Sequence, residues 1–178
     1  MRALQTPRLL LEPQLVQHAD EMFAVLGDPA IYKYENAPPA SLEWLRERFT
    51  QLESRRSRDG SEQWLNWVLR QPGGGLIGYV QATVRADGNA FIAYELASAA
   101  WGRGLGSEAV AAICDELRAQ YGVHTLLAIY KRANHRSRRL LERLGFAAAD
   151  AAILQGAELE SDEDLMQRSV VATVEARP

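Results

Sequence analysis

The sequence has only one cysteine, Cys114, so no disulfide can form within the chain. Its three histidines, at positions 18, 124 and 135, show no zinc-ligand spacing. A metal-free protein in a reducing cytoplasm is the expectation. Long apolar runs are also missing: near the amino terminus, Leu9 to Leu11 are cut off by Glu12 and Pro13. Neither a signal peptide nor a membrane span is expected there. Nor does one sign of charge dominate, since 20 basic residues stand against 23 acidic ones for a net charge of −3. Without a basic field, nucleic acid is not the expected partner. No segment repeats, and the polar patch Glu53 to Glu62 (ESRRSRDGSE) reads as a loop and not as a linker.

What is present suffices for one sizeable core. The chain has 178 residues, 47% of them hydrophobic, which predicts a single domain over residues 1–178. Arg8 to Glu12 precedes a proline as a short strand, and Leu15, Ala19, Met22, Phe23 and Leu26 then recur at helical spacing. Ser41 is placed to N-cap a second helix marked by Leu42, Leu45, Phe49 and Leu52. Asp28 to Pro39 between them reads as a loop suited to lining a cleft. Three strand-like runs follow, Gln63 to Arg70, Leu76 to Arg85 and Ala90 to Ala97, separated by Gly-rich turns as in an antiparallel meander.

The period then changes. Ala109, Ile113 and Leu117 mark a helix stopped by Gly122, and His124 to Tyr130 is an apolar run suited to a buried strand parallel to the one before the helix. Another helix is predicted from about Asn134 to Leu144, ended by Gly145 with Phe146 beyond it. Apolar residues through Leu165 to Val174 provide for a closing strand or two. The fold class is therefore α/β (α+β), a mixed and mostly antiparallel sheet with one central strand–helix–strand crossover.

Gly102, Gly104 and Gly106 fall between a strand and a helix that begins near Ser107. Without Cβ atoms, backbone N–H groups there can converge on a ligand, and the helix's first N–H groups point the same way. A phosphate group fits such a turn; a ligand-free strand-to-helix turn is the bland alternative. The P-loop reading fails because Ser107 and Glu108, not Lys and Ser or Thr, follow the last glycine. Gly104, Gly106 and Ala109 match a dinucleotide fingerprint, but three antiparallel strands precede them. Ile129 to Arg132 then occupy the place of the acidic residue.

Tyr94-Glu95-Leu96, WGRGLGSEAV (Trp101 to Val110), the N-x-x-S of Asn134 and Ser137, and LLERLGF (Leu140 to Phe146) together resemble the GNAT acyltransferases. Within them the chain is most similar to the branch of ribosomal-protein N-terminal (Rim-type) acetyltransferases. TPRLLLEP near the start and EDLMQRS near the end extend the resemblance over essentially the whole chain. It implies a GNAT-like fold with helices on both faces of the sheet, and acetyl-CoA as co-substrate. Backbone groups from Glu95 through Leu96 to Ala97 would hold the pantetheine arm; Gly102, Arg103, Gly104, Leu105, Gly106 and Ser107 would hold the pyrophosphate. Asn134 would touch the coenzyme, and it also suits an N-cap.

Many family members carry a tyrosine general acid where this chain has Leu141. Ser137 lies one turn earlier on the same face, a candidate donor to the leaving thiolate, or a hydroxyl bonded to its own helix. Glu95 is the best-placed general base, acting through water; a salt-bridged strand residue is the alternative. Of Lys131, Arg132, Arg136, Arg138 and Arg139, one or two are expected to touch ligand, and Trp44, Trp64, Trp67, Tyr32 and Tyr34 are candidates for the acceptor cleft. The expected activity is transfer of acetyl to a primary amine, such as a protein N-terminus, by a monomer or homodimer without membrane partners. A small amine (antibiotic, polyamine or amino acid) as acceptor, or an acyl-CoA-binding module without turnover, are the alternatives.

Overall fold

Strict alternation along the middle strands builds the sheet: in β4 (Leu76–Arg85), residues from Leu76 to Val84 switch between buried and half-buried at each step. The computed structural model describes residues 1–34 and 37–170. β4 runs antiparallel between β3 (Glu62–Arg70) and β5 (Asn89–Leu96), the meander expected from the sequence. β1 (Leu4–Gln5) and β2 (Leu10–Pro13) extend it beyond β3. On the other side come β6 (Thr125–Lys131), β8 (Glu163–Ser169) and β7 (Ala147–Ala148), giving the order β1-β2-β3-β4-β5-β6-β8-β7. Among the described strands only β5 and β6 run parallel, and α3 (Leu105–Gln120) connects them.

Period two assigns the helices to opposite faces. Leu65, Trp67 and Leu69 of β3 enter the main core with Ala109, Val110, Ile113 and Leu117 of α3 and with Leu140 and Leu141 of α4 (His135–Arg143). Val68, between them in sequence, packs instead with Ala19 and Met22 of α1 (Ala19–Val25) and with Leu45 and Phe49 of α2 (Leu42–Leu52). On a third patch, Ile153 of α5 (Ala151–Gln155) packs against Leu127, Ala149 and Leu165.

Helix ends follow the sequence signals. Ser41 Oγ accepts from Trp44 N at 3.0 Å, and Asn134 Oδ1 accepts from Ser137 N at 3.1 Å. Gly145, at φ 80, ends α4 as expected, with Phe146 buried beyond it. α3, however, starts at Leu105, earlier than the expected start near Ser107, because Gly104 at φ 77 turns the chain directly into the helix. α1 is shorter than its apolar spacing predicts, since Val16–His18 form a 3-10 turn before it. The short elements β1, β7 and α5 carry too few residues to show a period. Within the expected loop Asp28 to Pro39, Pro29–Lys33 form a 3-10 helix capped by Asp28. The closing strand starts at Glu163, and Val171 to Val174 of the predicted segment lie outside the described residues. No helix among the described residues is long and apolar enough to cross a membrane.

One close approach shapes the middle of the sheet. Gly78 (φ 154) faces β5 so tightly that any Cβ there would collide with the Glu95 carbonyl oxygen. Ala97 N donates to Ile77 O at 2.8 Å beside it. In antiparallel register this turns the amides of Ala97 and Glu95 toward β4, and those of Leu96, Tyr94 and Ile92 toward β6.

Candidate active site

β5 and β6 pair only through Asn89, Ala90 and Phe91, opposite Thr125, Leu126 and Leu127. Beyond that point β6 stays paired with β8 all the way to Lys131, so it is β5 and β6 that part. The split opens a cavity of about 940 Å³ lined by Tyr94, Glu95, the glycine turn and the inner side of α4. That volume suits a ligand of coenzyme size.

At one side of the split, Gly102 (φ 72) and Gly104 (φ 77) adopt the left-handed conformation that favours glycine. Gly104 brings no capping side chain to α3, so the first N–H groups of the helix face the cleft uncapped. Gly106 has a different reason: a Cβ there would stand 3.1 Å from Leu140 Cδ1, so its absence lets α3 and α4 lie close. The turn is braced from behind by the amino-terminal segment. Glu108 Oε1 accepts from Thr6 Oγ1 at 2.6 Å and from Arg8 N at 2.8 Å, and its Oε2 accepts from Arg8 Nε at 2.7 Å. Arg8 Nη1 also donates to Arg103 O at 2.8 Å. Burial acts to raise the Glu108 pKa, but these bonds and the Arg8 charge outweigh it and hold the carboxyl below its ordinary range.

The opposite wall is α4. Tyr94 reaches across from β5, its hydroxyl 2.8 Å from Ser137 Oγ. Of the basic run, Lys131 is bound by Glu160, Asp162 and Glu163, Arg132 by Asp164 and the Glu163 carbonyl, and Arg138 by Glu142. Arg136 and Arg139 line the cleft, and the Arg136 guanidinium lies 3.9 Å from the centroid of the Trp101 ring. Trp101 Nε1 donates in turn to Leu96 O at 2.7 Å. On the other face of the sheet the split is bordered by Glu95, Tyr79, Gln81, Lys33 and Tyr34. Among the described residues no three His, Cys, Asp or Glu side chains gather as a metal site would need.

The family model described as acetyltransferase (GNAT) domain matches residues 8–147. The chain belongs to the GNAT acetyltransferase family. No curated protein matches it by sequence. Among solved structures, RimL, the ribosomal L7/L12 alpha-N-protein acetyltransferase in complex with coenzyme A, superposes with a TM-score of 0.77 at 15% identity, over 94% of this chain and 97% of RimL. The ribosomal-protein-S5-alanine acetyltransferase from Vibrio fischeri gives 0.77 at 17% identity, over 99% of each chain. The microcin C7 self-immunity acetyltransferase MccE, in complex with acetyl-CoA and AMP, gives 0.77 at 16%, over 93% of this chain and 94% of its own. At such low identity these superpositions show a shared fold and nothing finer.

Most residues expected to form the site of this GNAT chain do meet at the split: Glu95, Leu96, Gly102, Gly104, Leu105, Gly106, Ser107, Asn134 and Ser137 all line it. Ala97 and Arg103 do not; the Ala97 amide is spent within the sheet, and Arg103 offers its carbonyl to Arg8. Of the five aromatic candidates only Tyr34 borders the cleft. Trp67 is fully buried and donates to Arg2 O, Trp64 donates to Glu62, Tyr32 donates to Leu26 O, and Trp44 is exposed on α2. Tyr79 and Gln81 were missed. Their signal was the half-buried, every-second-residue side of β4, whose register sets Tyr79 opposite Glu95.

The brace on Glu108 yields a prediction. Glu108→Gln should cost about 1.5–3 kcal/mol, the range for hydrogen bonds to a charged group. Thermal unfolding should therefore fall by roughly 2–4 °C per kcal/mol. Because the folded-state pKa is lowered, the wild-type advantage is present above the ordinary carboxylate range and disappears as pH falls through the depressed value. Melting curves of both proteins from neutral to acid pH check this; a gap that does not close in acid would show that the carboxylate charge is not what holds the turn.

Proposed function

We propose that this chain transfers an acetyl group from acetyl-CoA to a primary amine by direct attack through the split between β5 and β6. The observation that carries the reading is that the split joins the two faces of the sheet, with the glycine turn and α4 on one side and Glu95 on the other. The pyrophosphate is assigned to Gly102–Ser107, where uncapped helix N–H groups favour an anion. The pantetheine arm is assigned to the open edge of β5, where the backbone groups of Tyr94 and Leu96 face outward. Asn134 uses its Oδ1 as a cap, which leaves its NH2 for the coenzyme. Arg136 and Arg139 offer charge for the remaining phosphate.

On the acceptor side, Glu95 takes the amine proton through water, and Ser137 donates a hydrogen bond to the departing thiolate. An α-amine, with pKa near 8, is partly neutral at pH 7, whereas a lysine amine near 10.4 is mostly charged. An amine that is already partly neutral asks least of Glu95 as base, which favours a peptide N-terminus in the cytoplasm; RimL is named for alpha-N acetylation of ribosomal L7/L12, and the Vibrio fischeri enzyme for ribosomal-protein-S5 alanine. MccE is equally similar, so the likeness does not choose among acceptors. Coenzyme thiol release, measured with peptides of varied N-terminus and with small amines, tests both levels. Release with peptides is expected; release only with small amines would shift the acceptor class, and binding without release would make the chain an acyl-CoA-binding module.

Two substitutions separate the roles. Gly104→Val should weaken acetyl-CoA binding at least about tenfold in a chain whose circular dichroism is unchanged, since a β-branched residue does not hold the left-handed conformation at φ 77 that aims the uncapped N–H groups at the cleft. Gly106→Val is a poorer probe because it would displace Leu140. Undiminished affinity of the folded Gly104 variant by calorimetry would remove the glycine turn from coenzyme binding. Glu95→Gln should lower turnover chiefly at low pH, where less amine is neutral, with coenzyme affinity nearly constant. A pH–rate profile identical to that of the wild type would leave Glu95 a strand residue and nothing more.

A further inference from the structure

Family resemblance leads one to expect a tyrosine hydroxyl at position 141, and Leu141 is fully buried there. A tyrosine hydroxyl nevertheless reaches the same wall, from another element. Tyr94 lies on β5 with its side chain toward α4, and its OH stands 2.8 Å from Ser137 Oγ. Ser137 is itself held in place, because its backbone N–H donates to the Asn134 cap. Both residues line the split.

The Tyr94 OH also lies 3.5 Å from the Ser137 carbonyl oxygen, at the outer limit of a hydrogen bond, so Oγ at 2.8 Å is its stronger partner. That hydroxyl pair can be wired in two directions, since each group donates once and accepts. If Ser137 donated to Tyr94, its proton would be used up inside the wall. In the opposite direction the serine proton stays available. The phenol is the more acidic of the two hydroxyls and so the better donor. Burial pushes Tyr94 up to about 12, against which its bond with Ser137 acts only in part, so it remains a neutral O–H at any working pH.

We propose that Tyr94 is a positioning residue for the leaving group: its O–H donates to Ser137 Oγ and leaves the Ser137 proton pointing into the split at the departing sulfur. The proposal rests on the acetyl-transfer reading above. In that reaction the amine nitrogen forms the new bond to the acyl carbon, the C–S bond breaks, and its electron pair leaves on sulfur. The proton lost by the amine passes through Glu95 and water to solvent, and the thiolate is later protonated from solvent. Tyr94 and Ser137 donate hydrogen bonds throughout and end in the state in which they began. Because a coenzyme thiol resembles a cysteine thiol, with pKa near 8.5, such help is sufficient without full proton transfer.

The test uses Tyr94→Phe, Ser137→Ala and the double variant, with two readouts. The first is kcat with an accepted amine under conditions where single turnover shows chemistry to be rate-limiting. Ser137→Ala should lose roughly ten- to hundredfold, the lower range for acid catalysis. Tyr94→Phe should lose about three- to tenfold, and the double variant no more than Ser137→Ala, with coenzyme affinity by calorimetry within about threefold throughout. The second readout needs no acceptor: the thiol of bound coenzyme A, titrated by its thiolate absorbance, should show a thiolate fraction roughly three- to tenfold smaller in each variant at the same pH.

Full kcat and an unchanged titration in Tyr94→Phe, with Ser137→Ala impaired, would overturn the proposal and make Tyr94 packing. Losses that multiply in the double variant would overturn it as well, by showing that Tyr94 acts apart from Ser137. No turnover with any amine, but a titration shift in both single variants, would defeat the transfer reading and leave the hydroxyl pair standing.

Discussion

The parting of β5 and β6 after three residue pairs is the constraint on which the rest of this molecule depends. A continuous parallel ladder would have satisfied the backbone of Ile92 to Leu96 inside the sheet; instead β6 is committed to β8 over its whole length and β5 to β4. Outward-facing amides and carbonyls on β5 are thereby left in a cleft, where an unsatisfied buried group is costly. Trp101 takes the Leu96 carbonyl, and the rest of that edge is open to water or to a ligand that offers the same bonds. Because alternate residues of one strand face opposite sides, the same opening brings Tyr94 to α4 and Glu95 to the far face.

Electrostatic preparation follows from what surrounds the opening. A carboxylate in the first turn of a helix could fold back on the free N–H groups and compete with an anion. Glu108 is drawn away from them by Thr6 and Arg8, so the helix end stays available while its negative charge is neutralised nearby. On the other wall, Lys131 and Arg132 are committed to the acidic segment around Glu160 to Asp164, and Arg138 to Glu142. Arg136 and Arg139 face the cleft, so the basic run divides between tethering a loop and lining the site.

Features written locally in the chain were legible from it. The glycine turn, the Ser41 and Asn134 caps and the Gly145 stop each depend on a few adjacent residues, and all stand where the spacing puts them. The start of α3 was misjudged because the left-handed conformation of Gly104 has no side-chain signature. Contacts between distant elements were illegible for a different reason. The brace joins Thr6 and Arg8 to Glu108 across more than a hundred intervening positions or nearly so, and the hydroxyl pair joins β5 to α4; neither leaves a period or a spacing to read. Tyr94 was visible as part of a motif, but which face of β5 it takes depends on register.

The brace also has a bearing on the order in which the molecule is assembled. Thr6 and Arg8 leave the ribosome early, yet their partner lies 102 and 100 residues further on. Closing a loop of that length is entropically expensive, and such contacts form late unless the strands between them are already in place. The meander of β3, β4 and β5 occupies that interval and folds through shorter-range pairings. The glycine turn therefore acquires its backing only once Glu108 has been made and the strands between can pair, so no nascent chain shorter than that holds the turn braced.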